Sequence, residues 1–306
     1  MGTLLNSKVA VLLAAYEGCN WIEEQVNSIL IQKNVDVTLY ISVDQSTDGT
    51  ERWVDQLAAT EPNVVVLQHG LTFGGAGRNF FRLIRDVNLS RYDYISFADQ
   101  DDIWDEFKLN AAITELHGKS VDAYSSNVLA FWPDGKTQLI VKSQPQMKYD
   151  FFFEAAGPGC TYVFTKQLAC HLKQFVIENW TDIQNVALHD WFFYAFARAN
   201  GYKWFIDERY FMSYRQHQNN QVGVNSGFNA LRKRSAQVFN GSWLGQIQLI
   251  ASILRLDKSD FVKSWRNFGF FGSLGLAAKA FQCRRRVRDK LTFMFFFTLI
   301  SLRFNK

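Results

Sequence analysis

The sequence predicts an α/β protein in which a mostly parallel sheet is flanked by helices, and three observations support this. Short apolar runs alternate with segments of helical periodicity through the N-terminal part of the 306-residue chain. Such alternation is typical of right-handed βαβ units. Two of the apolar runs end in aspartate, at the sheet edge where ligands collect in folds of this kind. The apolar fraction of 48% is sufficient for a packed core.

The N-terminal elements follow from local patterns. Residues 9–15 form a continuous apolar run, typical of a strand buried on both faces. The predicted elements that follow are a helix over 20–32, a strand over 37–43, a helix over 47–59 with Ser46 or Thr47 as its N-cap, a strand over 64–67, a helix over 78–87 and a strand over 92–98.

The second half of the chain is less regular. The predicted elements are one or two strands within 122–132, a strand over 162–164, a helix over 188–199 and a strand over 204–206. Beyond residue 216 a polar stretch over 216–229 precedes basic and apolar helical segments. We therefore predict an α/β domain over residues 1–215 and a helical C-terminal extension over 216–306.

Charge and cysteine usage exclude several classes of protein. The net charge is only +4, so no strongly basic surface indicates nucleic acid as a partner. The four cysteines show neither C-x-x-C spacing nor a disulfide framework, which favours a reducing, cytoplasmic compartment. The apolar run at 9–15 is too short for a signal peptide.

Acidic residues follow two of the predicted strands. Asp44 follows the second strand, and Asp99, Asp101 and Asp102 are crowded together after the fourth. An isolated aspartate at a strand end is usually a turn former or helix cap, but mutual repulsion makes a tight group unfavourable unless a cation or a helix N-terminus offsets it. The D-x-D pair Asp99 and Asp101 offers hard oxygen ligands for Mg²⁺ or Mn²⁺. Asp102 is instead predicted to cap the segment that follows.

A glycine cluster at 74–77 precedes the third predicted helix, which begins with Arg78. Backbone N–H groups at such a helix start can meet a phosphate. The spacing is not G-x-G-x-x-G, however, and a loop that simply needs positive φ explains the glycines equally well.

The motifs over 14–17, 42–50 and 97–104, followed in order by 159–161, 189–191 and 214–217, resemble the family 2 glycosyltransferases. The resemblance is to the bacterial branch that includes rhamnosyltransferases of O-antigen and cell-wall polysaccharide assembly, and it covers roughly the first two-thirds of the chain. It implies a GT-A fold, inverting chemistry and a divalent cation.

The resemblance also implies roles for individual residues. Asp44 would contact the nucleotide base beside Ala15 and Glu17, Asp101 would be a metal ligand, and Asp190 would be the general base. His217 is assigned to metal or diphosphate, and the further donor-binding residues are Arg78, Asp99, Gln100 and Arg215. Many family members carry a second acid after the first aspartate, where this chain has Gln45, and this departure weakens the inference about base and ribose contacts.

Asp190 and the C-terminal tail each have a second interpretation. Asp190 opens an aromatic helix and could simply favour the helix dipole. The basic cluster at 284–290 precedes an apolar run at 291–300, well short of the roughly 20 residues that span a membrane. It suits a peripheral anchor on an anionic cytoplasmic leaflet. A helix packed on the catalytic domain and a homodimer interface are the alternatives.

The resulting hypothesis is an inverting, metal-dependent transferase acting at the cytoplasmic face of the bacterial inner membrane. The first donor to consider is dTDP-rhamnose, and the acceptor is a glycan or lipid-linked saccharide. A UDP-hexose is the alternative donor. A sugar-1-phosphate nucleotidyltransferase would require a phosphate loop after the first strand, which residues 15–18 lack. A non-catalytic carbohydrate- or membrane-binding module would leave the acidic cluster without a purpose.

Overall fold

The computed structural model describes residues 7–217 and 241–303 of the chain. The predicted polar segment over 216–229 therefore lies outside the described residues from position 218 onward. Among the helices described, none combines the length and apolar character needed to cross a membrane.

The N-terminal half forms a parallel sheet whose strand ends meet at one edge. In it, β1 (Ser7–Ala15) pairs with both β2 (Val35–Val43) and β4 (Tyr94–Ala98), and β2 pairs with β3 (Val64–Val66). Ala15 is opposite Val43, and Leu13 is opposite Ala98. The connecting helices are α1 (Ile22–Leu30), α2 (Thr50–Thr60) and α3 (Ala76–Asp86).

The second half extends the same sheet. Its strands are β5 (Ile103–Trp104), β6 (Ala123–Phe131), β7 (Thr137–Ile140), β8 (Val163–Thr165) and β9 (Trp204–Arg215). The helices are α4 (Lys108–Lys119), α5 (Lys166–Glu178), α6 (Trp180–Ile183) and α7 (His189–Ala199). Strand β8 runs antiparallel to β4 and β6, whereas β9 runs parallel to β6 and antiparallel to β5. The described strands follow the order β3-β2-β1-β4-β8-β6-β9-β5, with β7 on β6.

The start of α2 differs from its prediction. The helix begins at Thr50, and the preceding Gly49 has φ 97°, so the predicted N-cap at Ser46 or Thr47 is wrong. Residues 44–48 form a loop instead, because their side chains bond across to the loop after β1. Asp48 supports the first turn by accepting a 3.0 Å hydrogen bond from the Thr50 N–H.

Two hydrophobic clusters cover opposite faces of the sheet. In β1, Val9, Val11 and Leu13 face α1, α2 and α4, whereas Ala10 and Leu12 face α3, α5 and α7. This alternation is expected for a strand with both faces buried. The second of these faces also receives the C-terminal helices, which are α8 (Ser242–Ile253), α9 (Asp260–Trp265), α10 (Phe270–Ala278), α11 (Ala280–Cys283) and α12 (Val287–Arg303).

Candidate active site

Asp44 anchors the glycine-rich loop to the end of β2. Its buried carboxylate accepts hydrogen bonds from the Phe73 N–H at 2.8 Å and the Gly74 N–H at 2.9 Å. Gly74 and Gly75 have φ 75° and 152°, which confirms that this loop needs a left-handed backbone. Asp44 is thus held at the sheet edge with its carboxylate turned towards the loop.

The loops after β1 and β2 are joined to one another. The Asp44 N–H donates to the Ala15 carbonyl at 2.8 Å. Glu17, with φ 47°, accepts hydrogen bonds from the backbone N–H and hydroxyl of Thr47 at 2.8 and 3.0 Å. Ala15, Glu17 and Asp44, which the sequence assigned to one subsite, therefore lie on one connected surface.

Gln100 joins the D-x-D loop to the end of β1. Its side-chain carbonyl accepts from the Tyr16 N–H, and its amide group donates to the Tyr16 carbonyl, both at 2.7 Å. A Cβ atom at Gly18 would lie 2.2 Å from Gln100 Oε1. Glycine at position 18 therefore leaves the space that this paired contact occupies.

Behind the D-x-D loop lies a group of buried acids. Asp99, Asp102 and Cys160 place one ligand atom each within 4.8 Å of one another. Burial, together with the charges of Asp101 and Asp190, raises the pKa of Asp99 to about 7. Burial and the charges of Asp101 and Asp99 raise the pKa of Asp102 well above its usual value. Burial likewise raises the pKa of the Cys160 thiol, so this sulfur stays protonated.

Asp102 does not cap the segment that follows it. One of its oxygens accepts from the Arg215 N–H at 3.1 Å, at the end of β9, and the other has no hydrogen-bond partner within the described part of the chain. The predicted cap is therefore wrong, because α4 begins only at Lys108 and the carboxylate turns towards a distant strand.

Asp101 and His217 meet in front of this buried group. Asp101 Oδ2 lies 2.7 Å from His217 Nε2, and the His217 ring stacks on Trp21 at 4.1 Å. Arg215 donates to the Asp101 carbonyl at 2.8 Å and forms an ion pair with Glu24. The D-x-D loop and the end of β9 thus form one wall of the site.

Asp190 lies in the first turn of α7, where its charge acts on Asp99 of the D-x-D loop. Its carboxylate accepts from the Trp191 N–H at 2.7 Å, and burial raises its pKa to about 6. The close approach of α7 depends on Gly159, where a Cβ would lie 3.2 Å from Asp190 Cβ and 2.4 Å from His189 Nε2. The neighbouring His189 stacks on Phe80, and burial lowers its pKa to about 3, so it remains neutral.

Arg78, in the first turn of α3, joins the glycine-rich loop to the segment that leads to α7. It is exposed, and its guanidinium donates to the Gln184 carbonyl at 2.9 Å, in the segment that leads to α7. A second contact reaches the Phe73 carbonyl at 3.3 Å, in the loop that Asp44 holds.

Two lysines near the site were not singled out by the sequence. Lys108 is buried with its ammonium 3.3 Å from the centre of the Trp104 ring, and burial lowers its pKa to about 7. Lys142 follows β7 and faces Asp190, whose charge raises the Lys142 pKa while burial and Arg286 lower it to about 8. Neither lysine belongs to one of the motifs identified in the sequence.

The known proteins with similar sequences are glycosyltransferases. The sequence model described as "Glycosyltransferase like family 2" matches residues 7–147. The dTDP-rhamnosyl transferase RfbG of Shigella flexneri is 45% identical over 280 residues, covering 91% of this chain and 96% of that protein. The Escherichia coli UDP-Glc:alpha-D-GlcNAc-diphosphoundecaprenol beta-1,3-glucosyltransferase WfaP is 24% identical over 155 residues, covering 51% of this chain and 59% of that protein.

Solved structures share the fold at low sequence identity. S. aureus TarS in complex with UDP-GlcNAc superposes with a TM-score of 0.55 and 14% identity, covering 97% of this chain and 91% of that chain. The mannosyltransferase PcManGT of Pyrobaculum calidifontis, in complex with GDP-Man and Mn2+, gives a TM-score of 0.53 and 16% identity, covering 97% and 86%. The predicted α/β fold of the GT-A type is confirmed.

Proposed function

The chain belongs to the family 2 glycosyltransferases, and from this premise we propose that it transfers rhamnose from dTDP-rhamnose to a saccharide acceptor. The observation that carries the proposal is the 45% identity to a dTDP-rhamnosyl transferase over 91% of the chain. The acceptor is a glycan or lipid-linked saccharide of bacterial surface polysaccharide synthesis.

We assign the donor to the surface between the D-x-D loop and the glycine-rich loop. The nucleotide lies beside Asp44, Ala15 and Glu17, because hydrogen bonds hold these three residues together at the sheet edge. The remaining donor-binding residues are Arg78, Asp99, Gln100 and Arg215. Of these, Gln100 acts by holding the D-x-D loop against Tyr16.

The residues present fit a divalent cation, Mg²⁺ or Mn²⁺. Asp101 and His217 would hold it, since their side-chain atoms already meet at 2.7 Å and both are suitable ligands. Asp99 would contact the ribose or a metal-bound water. Cys160 is a poor candidate because a soft sulfur ligand does not suit these hard cations. When bound, the cation neutralises charge on the leaving diphosphate.

Asp190 serves as the general base in this proposal. Inverting transfer requires a carboxylate on the face of the sugar opposite the leaving group, where it accepts the proton of the acceptor hydroxyl. The charge of Asp190 acts on Asp99 of the D-x-D pair, and a pKa of about 6 leaves Asp190 ionised at neutral pH. The raised value also makes it a better proton acceptor than an ordinary aspartate.

The C-terminal helices offer a surface for peripheral contact with an anionic cytoplasmic leaflet. Phe271 and Phe295 are 84% and 59% exposed on α10 and α12. Arg288 lies on the same helix pair, with its side chain 73% exposed. An apolar face beside cations is suited to a membrane interface.

Vesicle binding tests this surface. A Phe271→Ser/Phe295→Ser variant should lose binding to vesicles containing phosphatidylglycerol, while the wild type binds these better than phosphatidylcholine vesicles. Unchanged vesicle binding together with dissociation of a dimer would assign the face to a homodimer instead. Light scattering on both proteins distinguishes the two results.

We also propose that residues 1–215 form the catalytic domain and 216–306 a helical extension. In the described part, the strands end with Arg215 and helices make up 242–303. The extension contributes the exposed apolar face and His217, and residues up to 215 contribute the other residues assigned to the donor and to the base.

A donor panel tests the proposed function. We expect metal-dependent release of dTDP from dTDP-rhamnose, with little release of nucleotide from UDP-glucose or GDP-mannose, with and without added acceptor. Asp101→Asn should abolish the metal response, and Asp190→Asn should abolish transfer but keep donor binding. Asp260→Asn is the matched control, because its side chain is fully exposed on α9 and should leave turnover unchanged.

The panel can contradict the proposal in two ways. Turnover of UDP-glucose in place of dTDP-rhamnose would change the donor but keep the reaction class. If no nucleotide diphosphate, with metal, raises the melting temperature and no donor turns over, the transferase assignment to this site is wrong.

A further inference from the structure

Two cationic side chains, Lys142 and Arg286, lie near one another, and Lys142 is close enough to Asp190 for their charges to interact. Lys142 leads out of β7, and its Cβ and Cγ lie 3.7 Å from the Cβ position of Gly157. Gly157 in turn accepts a 3.0 Å hydrogen bond from the Tyr162 hydroxyl, which also contacts the Asp190 carbonyl at 3.3 Å. Lys142 is therefore packed against the same residues that hold the start of α7.

Arg286 brings the second cation to the same place. Its guanidinium donates to the carbonyl of Val141, the residue before Lys142. The backbone beneath is fixed by Asn127, whose side-chain oxygen accepts from the N–H groups of Lys142 and Ser143 at 2.6 and 3.2 Å. Hydrogen bonds therefore hold the backbone from which Lys142 extends and to which Arg286 binds.

The neighbouring Arg284 and Arg285 form ion pairs with carboxylates, whereas, among the described residues, Lys142 and Arg286 do not. Arg285 forms ion pairs with Asp150 at 3.5 Å and Glu154 at 3.7 Å, and Arg284 pairs with Glu154 and Asp289. Within the described ranges 7–217 and 241–303, no carboxylate oxygen lies within 4.0 Å of the Lys142 ammonium or the Arg286 guanidinium. Two clustered cations repel one another, and an anionic ligand would offset this cost.

The position of Lys142 and Arg286 indicates which anion they can bind. In an inverting displacement the leaving diphosphate departs on the face opposite the base, so cations beside Asp190 lie on the acceptor side. Immediately after Arg286 the exposed apolar surface of α12 begins, with Val287 64% and Leu291 49% exposed. A cationic site beside an apolar face matches a ligand with a phosphate next to a lipid chain.

We propose that Lys142 and Arg286 form a binding site for the phosphate of a lipid-diphosphate-linked saccharide acceptor. The inference rests on the proposed function, in which Asp190 is the general base, and it narrows the acceptor to an anionic lipid conjugate. The side chains of Lys142 and Arg286 supply charge-assisted hydrogen bonds to phosphate oxygens, and α12 lies beside the lipid chain.

The test compares two acceptors with the same terminal saccharide, one linked to a polyprenyl diphosphate and one an uncharged alkyl glycoside. For Lys142→Gln and Arg286→Gln, the ratio of kcat/KM for the charged acceptor to that for the glycoside should fall about tenfold, as expected for one lost charge-assisted hydrogen bond. The ratio cancels any effect on Asp190 that both acceptors share. Lys142→Arg should restore most of the preference, and Lys263→Gln, at an exposed residue on α9, should leave it unchanged.

A second measurement separates the acceptor phosphate from bulk anionic lipid. Binding to phosphatidylglycerol vesicles without acceptor should be equal for Arg286→Gln and the control Lys263→Gln. If Arg286→Gln alone weakens that binding and the acceptor ratio is unchanged, the pair attracts the bilayer and the proposal is overturned. Equal losses on both acceptors would likewise overturn it. Failure of the proposed function is distinguishable, because the wild type would then process neither acceptor.

Discussion

Asp190 shows how one residue can be favourable for catalysis and unfavourable for folding. Burial raises its pKa to about 6, above the usual value of 3.8 for an aspartate. The folded protein therefore holds this proton more tightly than the unfolded chain does. By linkage, the residue costs increasing stability as the pH rises from about 4 to about 6, where the folded state must also ionise it. Groups with a pKa shifted for proton transfer commonly reduce stability in this way.

Asp190→Asn should therefore reduce activity and raise stability together. Turnover of the wild type should increase as the pH rises through about 6, since the carboxylate is the active form, and the variant should lose about 10²-fold or more. Its free energy of unfolding should exceed that of the wild type at pH 8, and the difference should vanish below about pH 4. Rate profiles and urea titrations at several pH values measure both. A variant with normal turnover would exclude Asp190 as the base.

A second prediction concerns the packing of the Gln100 side chain against Gly18. Gly18→Ala places a Cβ 2.2 Å from Gln100 Oε1, which must break the paired contact with Tyr16. We expect a higher KM for the donor and a loss of about 1–3 kcal/mol of stability. Adding Gln100→Ala removes the clash, so the double variant should be more stable than the sum of the single effects implies.

Gly118→Ala is the control for the Gly18→Ala and Gln100→Ala variants. It lies within α4, and a Cβ there would meet nothing within 4 Å. Gly118→Ala should be neutral or stabilise the protein by up to about 1 kcal/mol, because alanine favours a helix. Additive effects of Gly18→Ala and Gln100→Ala would show that the two side chains do not interact as described.

The residues that could be predicted are those with a local pattern. Asp44 and Asp99 follow apolar strands, and Asp190 opens a helix, so position along the chain indicated each of them. Lys142 carries no such signal, because it follows a short and mostly exposed strand, β7. Cys160 lies within the 159–161 motif, but the sequence did not place it beside Asp99 and Asp102. That proximity depends on β8, which pairs with β4 and β6 far away in sequence. Asp102 was misjudged for the same reason, since its partner lies on β9.

At the scale of secondary structure, the parallel half of the sheet was predicted more completely than the second half, where β6, β8 and the start of β9 were predicted but β5 and β7 were not. Alternating apolar runs and helical patterns locate β1 to β4, and right-handed crossovers then arrange them. Strand β9 extends over Trp204–Arg215, far beyond the predicted 204–206. Its outer portion is polar and half-exposed, so apolar periodicity could not reveal it.

The short connection between α11 and α12 is held by Arg285, which is 4% exposed. Its ion pairs with Asp150 and Glu154 attach the C-terminal helices to the catalytic half. Arg285→Met should destabilise the protein by about 3–5 kcal/mol, because buried carboxylates lose their partner. Urea unfolding measures the loss, and the exposed Arg288→Met is the control with the same change of charge. Equal stability of the two variants would mean that Arg285 does not attach these helices.

Across the whole molecule, the extension and the sheet share one hydrophobic cluster. Phe293 packs on Phe153 with ring centres 4.9 Å apart, and Phe297 is fully buried beside Trp243. The opposite cluster, which contains Leu13, shares the strands of the same sheet. The proposed division of the chain at residue 215 therefore does not coincide with a break in the packing.

Continuous packing predicts that the two parts unfold together. Phe297→Ala in the extension and Leu13→Ala in the opposite cluster should each lower the stability by about 2–5 kcal/mol, because both create buried cavities. Each should shift a single urea transition, coincident by tryptophan fluorescence and far-UV circular dichroism. Phe271→Ala, at a residue 84% exposed, should leave the midpoint nearly unchanged. If Phe297→Ala instead produces an early partial transition while the remaining one stays at the wild-type midpoint, the extension unfolds by itself and the shared core does not couple the two parts.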